Sequence, residues 1–143
     1  MASEKTEFGY KVLGQMIGAE KAASVRATAE SDSFGAAMVA NIMDSCFANI
    51  WGREGLSRRE RSLVTLGILI ARETTFELGT HIGIGMRHGL TADEIEEVIL
   101  HSMPYAGIPS AFHATNVARE TLQKLGHLDE AGDWSKMEDV LKP

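Results

Sequence analysis

The stretch from residue 57 to residue 89, SRRERSLVTLGILIARETTFELGTHIGIGMRHG, decides the fold class because it carries two consecutive helices with their own start and stop signals. Ser57 and Glu60 form a capping box, in which each side chain can accept a hydrogen bond from the backbone N–H of the other residue. The apolar run Leu63–Ile70 predicts a buried central helix that ends near Arg72.

The second helix of this stretch is predicted from about Thr75 to Arg87, and Gly89 is well placed to stop it. Capping residues, glycines and prolines likewise predict where the remaining helices begin and end. No alternation of apolar and polar residues indicates a strand. The first covers 6–28 and is broken near Gly18, and the second covers 34–51 and is capped by Asp32 or Ser33. A third is opened by the Thr91–Glu94 capping box and broken by Pro104 and Gly107. The last starts at Pro109 and is ended by Gly126. The chain is therefore predicted to be an all-α bundle of about six helices.

Rows of apolar residues four positions apart predict which helix faces are buried. In the helix over 34–51 two such rows cover a wide arc, which predicts that the helix is buried on two sides. The rows are Phe34, Met38, Ile42 and Cys46, and Val39, Met43 and Phe47. Because Cys46 lies in an apolar row, its thiol is predicted to be buried and inert. In the last helix the predicted core stripe is Ala111, Ala114, Val117, Ala118, Thr121, Leu122 and Leu125.

Length and composition limit the function classes. The chain has 143 residues, 44% of them hydrophobic, and a formal net charge of -6, which predicts one domain and argues against nucleic-acid binding. The polar N-terminus MASEKTEF and the absence of a long apolar run predict no signal peptide, no membrane contact and a cytoplasmic location. One cysteine excludes an internal disulfide. The polar tail 127–143, with Trp134, Met137 and Leu141, is expected to dock on a neighbouring subunit or to fray.

Chemistry is predicted on the helix over 75–87. Glu77 and His81 are four residues apart, so their side chains share a helix face, and the carboxylate is expected to raise the pKa of the imidazole and fix its tautomer for proton transfer. Gly79 and Gly83 also share a face, which would let a backbone or a ligand approach closely. A surface ion pair is the alternative interpretation, and a metal site completed by His88 or His113 is a further one.

Other candidates have ordinary interpretations beside functional ones. Arg53 lies in a glycine-flanked connector, where it could bind a substrate carboxylate or be a solvated loop residue. His101 and His113 fall near apolar stripes, where a histidine is more often a hydrogen-bonded core residue than a catalyst.

Four motifs together resemble those of a known family. The stretch Trp51–Leu66, WGREGLSRRERSLVTL, resembles the W-x-R-P-G-L-x-x-R-x-R-S-L-x-T-L pattern of 4-carboxymuconolactone decarboxylases. The other three follow in the family's order: Glu77-Leu-x-x-His81, the Gly89-Leu-Thr turn with Glu94-Ile95, and Tyr105-Ala-Gly-Ile-Pro109-Ser-Ala111. The chain thus resembles the carboxymuconolactone decarboxylase family over roughly residues 30 to 125.

The resemblance implies an all-α fold of the alkyl hydroperoxidase D type and a ring-like homo-oligomer, a trimer or hexamer. The redox branch of the family carries a Cys-x-x-Cys motif, whose positions fall on Thr74 and Glu77 here, so the peroxidase relay is absent. The sequence departs from related decarboxylases at Gly79 and Gly83, where they tend to have arginine, and at Glu54, where they tend to have proline. Loss of these cations points to a less acidic substrate or a more apolar pocket.

The resemblance also implies a cofactor-free, metal-free decarboxylation of 4-carboxymuconolactone or a related lactone in aromatic-compound catabolism. It assigns His81 as acid–base residue, Glu77 as its orienting partner and Arg53 as the group that holds the carboxylate. The residues expected to line the pocket are Trp51, Phe47, Ile84, Tyr105 and His113. Two alternatives remain: an isomerase, hydrolyase or cyclase acting on another lactone or enolisable ketone, and a non-catalytic oligomeric ligand-binding protein.

Overall fold

The structure, a computed structural model, describes residues 3–129, and this part of the chain is all-α, as predicted. Its helical segments are α1 (Glu4–Ile17), α2 (Ala19–Ala29), α3 (Ala36–Ile42), a π-helix (Met43–Trp51), α4 (Arg58–Arg72), α5 (Thr75–Arg87), α6 (Ala92–Ala106) and α7 (Ile108–Lys124). None of the helices within residues 3–129 is both long and apolar enough to cross a membrane. The tail residues Trp134, Met137 and Leu141 lie outside the described residues.

Both predicted capping boxes are confirmed. Before α4, the Ser57 N–H donates to Glu60 Oε2 at 2.6 Å and the Glu60 N–H donates to Ser57 Oγ at 3.2 Å. Before α6, the same reciprocal pair joins Thr91 and Glu94 at 3.0 and 3.2 Å. Each box satisfies two backbone donors that a helix start otherwise leaves without partners, which is why these two boundaries are well defined by the sequence.

The predicted start of the helix over 34–51 is wrong. The helix begins at Ala36, after Gly35 in a left-handed conformation, and no side chain caps it. Ser33 instead takes part in a tight turn, in which its backbone N–H and its hydroxyl both bond to the hydroxyl of Ser31. From Met43 onward the helix widens to π geometry, so that the Gly52 N–H reaches back five residues to the Phe47 carbonyl at 2.9 Å.

Two further corrections concern helix ends. Pro104 does not break α6, which continues to Ala106 although the proline cannot donate to the Leu100 carbonyl; Gly107 ends the helix by donating its N–H to Met103 O at 2.9 Å. Leu125, predicted as part of the α7 stripe, is exposed, because α7 stops at Lys124 and Leu125 is the residue that caps it.

The described residues divide into two compact units, and the first comprises residues 3–64 and 87–89. In it α1 packs against α2 and the π-helix, and α3 packs against α2. The core of this unit is apolar and consists of Tyr10, Leu13, Ala22 and Met43, with Ile17, Val25, Ala29, Ile42 and Phe47 packed against them. Gly9 allows the close packing of α1 on the π-helix, because a Cβ at this position would collide with the Met43 carbonyl.

The prediction that the helix over 34–51 is buried on two sides is only partly confirmed. Phe34 is fully exposed and Met38 is 65% exposed, whereas Met43 is buried. Phe34 is exposed because it precedes the helix start, and from Met43 onward the π geometry shifts the rows of side chains that an α-helix would align.

The second unit comprises residues 65–86 and 90–129, and in it α6 packs against α7. Its buried apolar residues come from four helices and the α5–α6 turn: Leu66, Ile70, Leu78, Ile82, Ile84, Leu90, Ile95, Ile99, Ala111, Ala114, Ala118 and Leu122. The turn between α4 and α5 contains Glu73 in a left-handed conformation, with φ 54°. The Glu73 carboxylate accepts a 2.7 Å hydrogen bond from the buried hydroxyl of Ser110, which ties this turn to the start of α7.

Gly89 ends α5, as predicted, through a left-handed residue just past the helix. Its φ is +88°, and the next residue, Leu90, donates its N–H to Gly85 O at 3.0 Å, the long-range bond of a Schellman motif. The Leu90 side chain lies against Gly85, which supplies the apolar contact of the same motif.

Two glycine-to-alanine substitutions test whether the positive φ at Gly89 is what requires glycine there. Gly89→Ala is expected to lower the free energy of unfolding by about 1 kcal/mol, because an L side chain is disfavoured at positive φ while no atom lies within 4 Å of the added Cβ. Gly67→Ala, in α4 and equally unobstructed, is the matched control and should raise it by up to about 1 kcal/mol. Urea unfolding of both variants measures the two signs, and equal effects would contradict the explanation.

Candidate functional site

The predicted acid–base pair lies on α5, in the second unit. His81 is half-buried, while Glu77, one turn earlier, is exposed. Burial lowers the pKa of His81, and the nearby Glu77 carboxylate opposes this with a smaller effect. The prediction that Glu77 would give His81 a raised pKa is therefore wrong in its net direction, because desolvation of the imidazolium outweighs the attraction of the carboxylate.

The glycine face of α5 is occupied by another helix. A Cβ on Gly79 would lie 3.2 Å from Thr121 Oγ1 and 3.6 Å from Val117 Cγ1, both on α7, and one on Gly83 would lie 3.9 Å from Leu125 Cδ1. All three neighbours are side-chain atoms, so these contacts do not show the close approach of a backbone that the spacing allowed. Side chains of α7, and Leu125 just after it, lie against this face of α5.

Three predicted pocket residues come from or follow the π-helix in the first unit. Phe47 is half-buried against the apolar core of that unit, and Trp51 is only 7% exposed. Arg53 is exposed, and its backbone carbonyl accepts a 3.1 Å hydrogen bond from Arg61 Nη2. This bond anchors the connector through the main chain of Arg53.

The other three predicted pocket residues belong to the second unit and differ in exposure. Ile84 is buried on α5. Tyr105 is 81% exposed, and its ring lies 5.5 Å from that of His101, which is also exposed. His113 is exposed on α7, so the expectation that His101 and His113 are core histidines is wrong in the described chain.

A cluster that the sequence interpretation missed lies in the first unit. Ser62 is 1% exposed, and its hydroxyl lies 2.8 Å from His88 Nδ1. The Trp51 ring packs beside the His88 ring, with centroids 5.9 Å apart and planes tilted by 44°. Ser62, Leu66 and Ile70 form one buried row spaced by four residues on α4, and a serine in such a row is the signal that could have revealed this cluster.

Trp51 also contacts Cys46, and the π geometry explains why. Residues five apart share a face of a π-helix, so Trp51 comes close to Cys46 and its indole, which can only donate, hydrogen-bonds the sulfur. Burial raises the pKa of the Cys46 thiol, and the Trp51 bond opposes this with a smaller effect. Cys46 is thus a protonated, weakly nucleophilic thiol at neutral pH, in agreement with the prediction of an inert cysteine.

The described residues contain a cavity but no cluster of metal-ligating side chains. Among residues 3–129 there is no group of three or more histidine, cysteine or acidic side chains placed to hold a metal ion. A cavity of about 340 Å³ lies in the second unit along α6 and α7. None of the predicted site residues lines it; its walls are Ala92, Asp93, Ile95, Glu96, Ile99, Leu100, Thr115, Ala118, Arg119, Leu122 and Leu128.

Comparison with known proteins finds a matching family model and two relatives that are both named decarboxylases. The model of the carboxymuconolactone decarboxylase family matches residues 36–120, more than half of the chain. A 4-carboxymuconolactone decarboxylase from Acinetobacter baylyi is 40% identical over 80 residues, covering 56% of this chain and 60% of the relative. A nitrosuccinic acid decarboxylase from Metarhizium robertsii is 37% identical over 84 residues, covering 59% of each chain. The match thus spans about three fifths of the length of these relatives.

The lowered pKa of His81 predicts a pH-dependent stability. The unfolded chain takes up the His81 proton near pH ~6.5 and the folded chain only at lower pH, so stability is full above about 6.5 and falls as the pH drops towards the folded pKa. We expect wild type to lose stability relative to His81→Gln between about pH 6.5 and 5, as measured by urea unfolding at several pH values. His127→Gln, at an exposed histidine, is the control and should keep the wild-type pH dependence; a His81→Gln variant that also keeps it would contradict the prediction.

Proposed function

Because the chain belongs to the carboxymuconolactone decarboxylase family, we propose that it is a decarboxylase of small carboxylic acids. The family match over residues 36–120 carries this proposal, and the names of both relatives support it. The chain's own residues add a half-buried histidine beside a carboxylate, on the helix that the resemblance assigned to catalysis.

The two relatives' names denote acids of one chemical kind. In 4-carboxymuconolactone an unsaturated lactone carbonyl, and in nitrosuccinic acid a nitro group, can accept the electron pair left when carbon dioxide departs. The substrate therefore supplies its own electron sink, and the protein has three tasks: to hold the carboxylate, to stabilise the delocalised anion and to deliver a proton to carbon. We infer that the substrate of this chain is an acid of this kind.

The residue roles in this proposal follow the resemblance. Arg53 binds a substrate carboxylate, since its guanidinium is always charged and can bind both carboxylate oxygens. His81 exchanges the proton, and Glu77 orients it. The same resemblance gives roles in substrate contact to Trp51, Phe47, Ile84, Tyr105 and His113. Because the pKa of His81 is lowered, its donating form is populated on the acid side of neutrality, so turnover should rise as the pH falls towards that pKa.

An alternative reaction is favoured by one feature of α5. Gly79 and Gly83 place no cation where related decarboxylases tend to have arginine, and this lack favours a less acidic substrate, such as a lactone or ketone that is isomerised without losing carbon dioxide. Exchange of solvent deuterium into such a substrate without release of carbon dioxide would support this alternative.

We also propose that the chain acts as a homo-oligomer, a trimer or hexamer, in the cytoplasm. A large set of exposed apolar side chains supports association. In the second unit these include Ile68, Phe76, Leu100, Met103, Tyr105 and Ile108. Sedimentation velocity at several concentrations is expected to give one species larger than the 15.5 kDa chain, and a monomer throughout would contradict this proposal.

The reaction is tested by carbon dioxide release from 4-carboxymuconolactone and from nitrosuccinate. Wild type should release it from at least one of these acids, and His81→Ala should lower turnover by a factor of about 100 or more, since general acid–base residues contribute about 10²–10⁴-fold. The helical circular dichroism should be unchanged in the variant. His127→Ala, at an exposed histidine, is the control expected to match wild type. No release by wild type from either acid would contradict the proposed function, and full activity of His81→Ala would remove His81 from the mechanism.

A further inference from the structure

The second unit contains a groove that none of the predicted site residues lines. Its volume is about 340 Å³, and α6 and α7 form its two sides. Most of the lining residues on each helix are spaced three or four apart, so each helix turns one face to the groove. Four of them are buried, namely Ile95, Ile99, Ala118 and Leu122, whereas Leu100 is 51% exposed. The α6–α7 groove thus has an apolar floor and an apolar side chain that is open to a partner.

The chain turns back onto this groove directly after α7. Gly126 has a φ of +75°, and two bonds of 2.9 Å close the turn, from the His127 N–H to Leu122 O and from the Gly126 N–H to Gln123 O. These are the two bonds of a Schellman motif, which reverses the chain. Leu128, two residues past the glycine, lines the groove. Residues 130–143 therefore follow from a point at the edge of the groove.

The end of the groove at which this happens fixes a direction. Gly107 alone joins α6 to α7, and the two helices pack against each other, so they run antiparallel. Leu122, near the end of α7, therefore lies beside the start of α6. A segment that continues from Leu128 along the groove runs towards the end of α6, in the direction of Leu100.

Residues 130–143, EAGDWSKMEDVLKP, have the pattern and the length to lie in this groove. Trp134, Met137 and Leu141 are three and four residues apart, the interval at which apolar residues of a helix anchor it in an apolar groove. At about 1.5 Å per residue, Met137 would lie about 13 Å beyond Leu128, and Leu100 lies about 12 Å along α6 from Ala92. The spacing of the segment thus brings Met137 close to Leu100.

Covalent attachment favours this segment over any other occupant. A tethered segment meets its groove at an effective concentration of about millimolar, whereas a separate molecule also loses translational and rotational freedom on binding. Charges of both signs line the groove, and both signs occur in residues 130–143, so no field of a single sign opposes docking.

We propose that residues 130–143 bind in the α6–α7 groove of their own chain, with Trp134, Met137 and Leu141 facing its apolar floor. This docking is independent of the proposed function, because no residue assigned to catalysis or substrate contact lines the groove. It gives the cavity along α6 and α7 an occupant, so that the cavity is not the substrate pocket. Leu100 and Leu128 are then covered by the chain itself rather than by a neighbouring copy.

Fluorine NMR of the full chain labelled with 5-fluorotryptophan tests the docking. The chain has two tryptophans, and the signal of Trp134 is the one that Trp134→Phe removes. The shift of such a signal differs between light and heavy water when the ring contacts solvent. We expect this difference at Trp134 to be much smaller in the folded protein than in protein unfolded in urea. An equal difference in both states overturns the proposal.

A matched pair of substitutions on α6 locates the docking surface. Leu100→Asp places a charge in the groove at a half-exposed position, where it should not disturb the core. Met103→Asp is the control, because Met103 is 40% exposed on the same helix but does not line the groove. We expect the solvent effect on Trp134 to rise towards the unfolded value in Leu100→Asp and to stay at the wild-type value in Met103→Asp. Met137→Asp should act like Leu100→Asp without altering α6. Equal effects of the two α6 variants, or no effect of Leu100→Asp and Met137→Asp, overturn the proposal.

A disulfide separates docking on the same chain from docking on a second copy. The double variant Leu100→Cys and Met137→Cys is oxidised and run on a denaturing gel without reductant, and we expect a cross-link within one chain. Met137→Cys alone, which retains the buried Cys46, is the control and should form no cross-link within the chain. A disulfide that joins two chains of the double variant, or no disulfide at all, contradicts the proposal.

Discussion

The left-handed backbone at Gly89 sets the position of His88 and the course of the chain after α5. With φ at +88°, Gly89 reverses the chain within one residue, and Leu90 closes the turn by bonding back to Gly85. The capping box at Thr91 then starts α6 at once, so no flexible connector lies between the two helices. One position that favours glycine thus determines where a helix ends, where the next begins and where the imidazole between them is held.

The parts of the fold that could be predicted from the sequence depend on interactions between near neighbours. The boxes at Ser57 and Thr91 and the stop at Gly89 each involve residues at most five apart, so their partners are visible in the sequence. The errors arise where a longer-range effect decides. An α-helical row of apolar residues predicted burial of Phe34, but the helix starts after it, and the π geometry that follows has no signal in the spacing.

The candidate site, like the fold, could be predicted from the sequence only where its residues are near neighbours in the chain. Spacing alone located Glu77 and His81 on one helix face, and the resemblance pointed to the same pair. The sign of the His81 pKa shift could not be predicted, because it depends on how much of the ring is buried, and burial is set by packing rather than by spacing. Ser62 and His88 are 26 residues apart, so no helical period connects them. The one sign of Ser62 in the sequence is that a polar residue stands in an otherwise apolar row of α4.

The two histidines have partners of different charge, and this difference supports different uses. His81 lies near a carboxylate, which favours the imidazolium, and is desolvated, which favours the neutral ring; these opposing effects leave a group that can change its protonation state. His88 contacts a neutral hydroxyl, which can follow either protonation state without losing its hydrogen bond. A carboxylate in place of Ser62 would hold a charge in a site that is 1% exposed, where it would favour a permanent imidazolium. The hydroxyl of Ser62 therefore holds the His88 ring without fixing its charge, whereas the Glu77 carboxylate favours the charged form of His81 against the effect of burial.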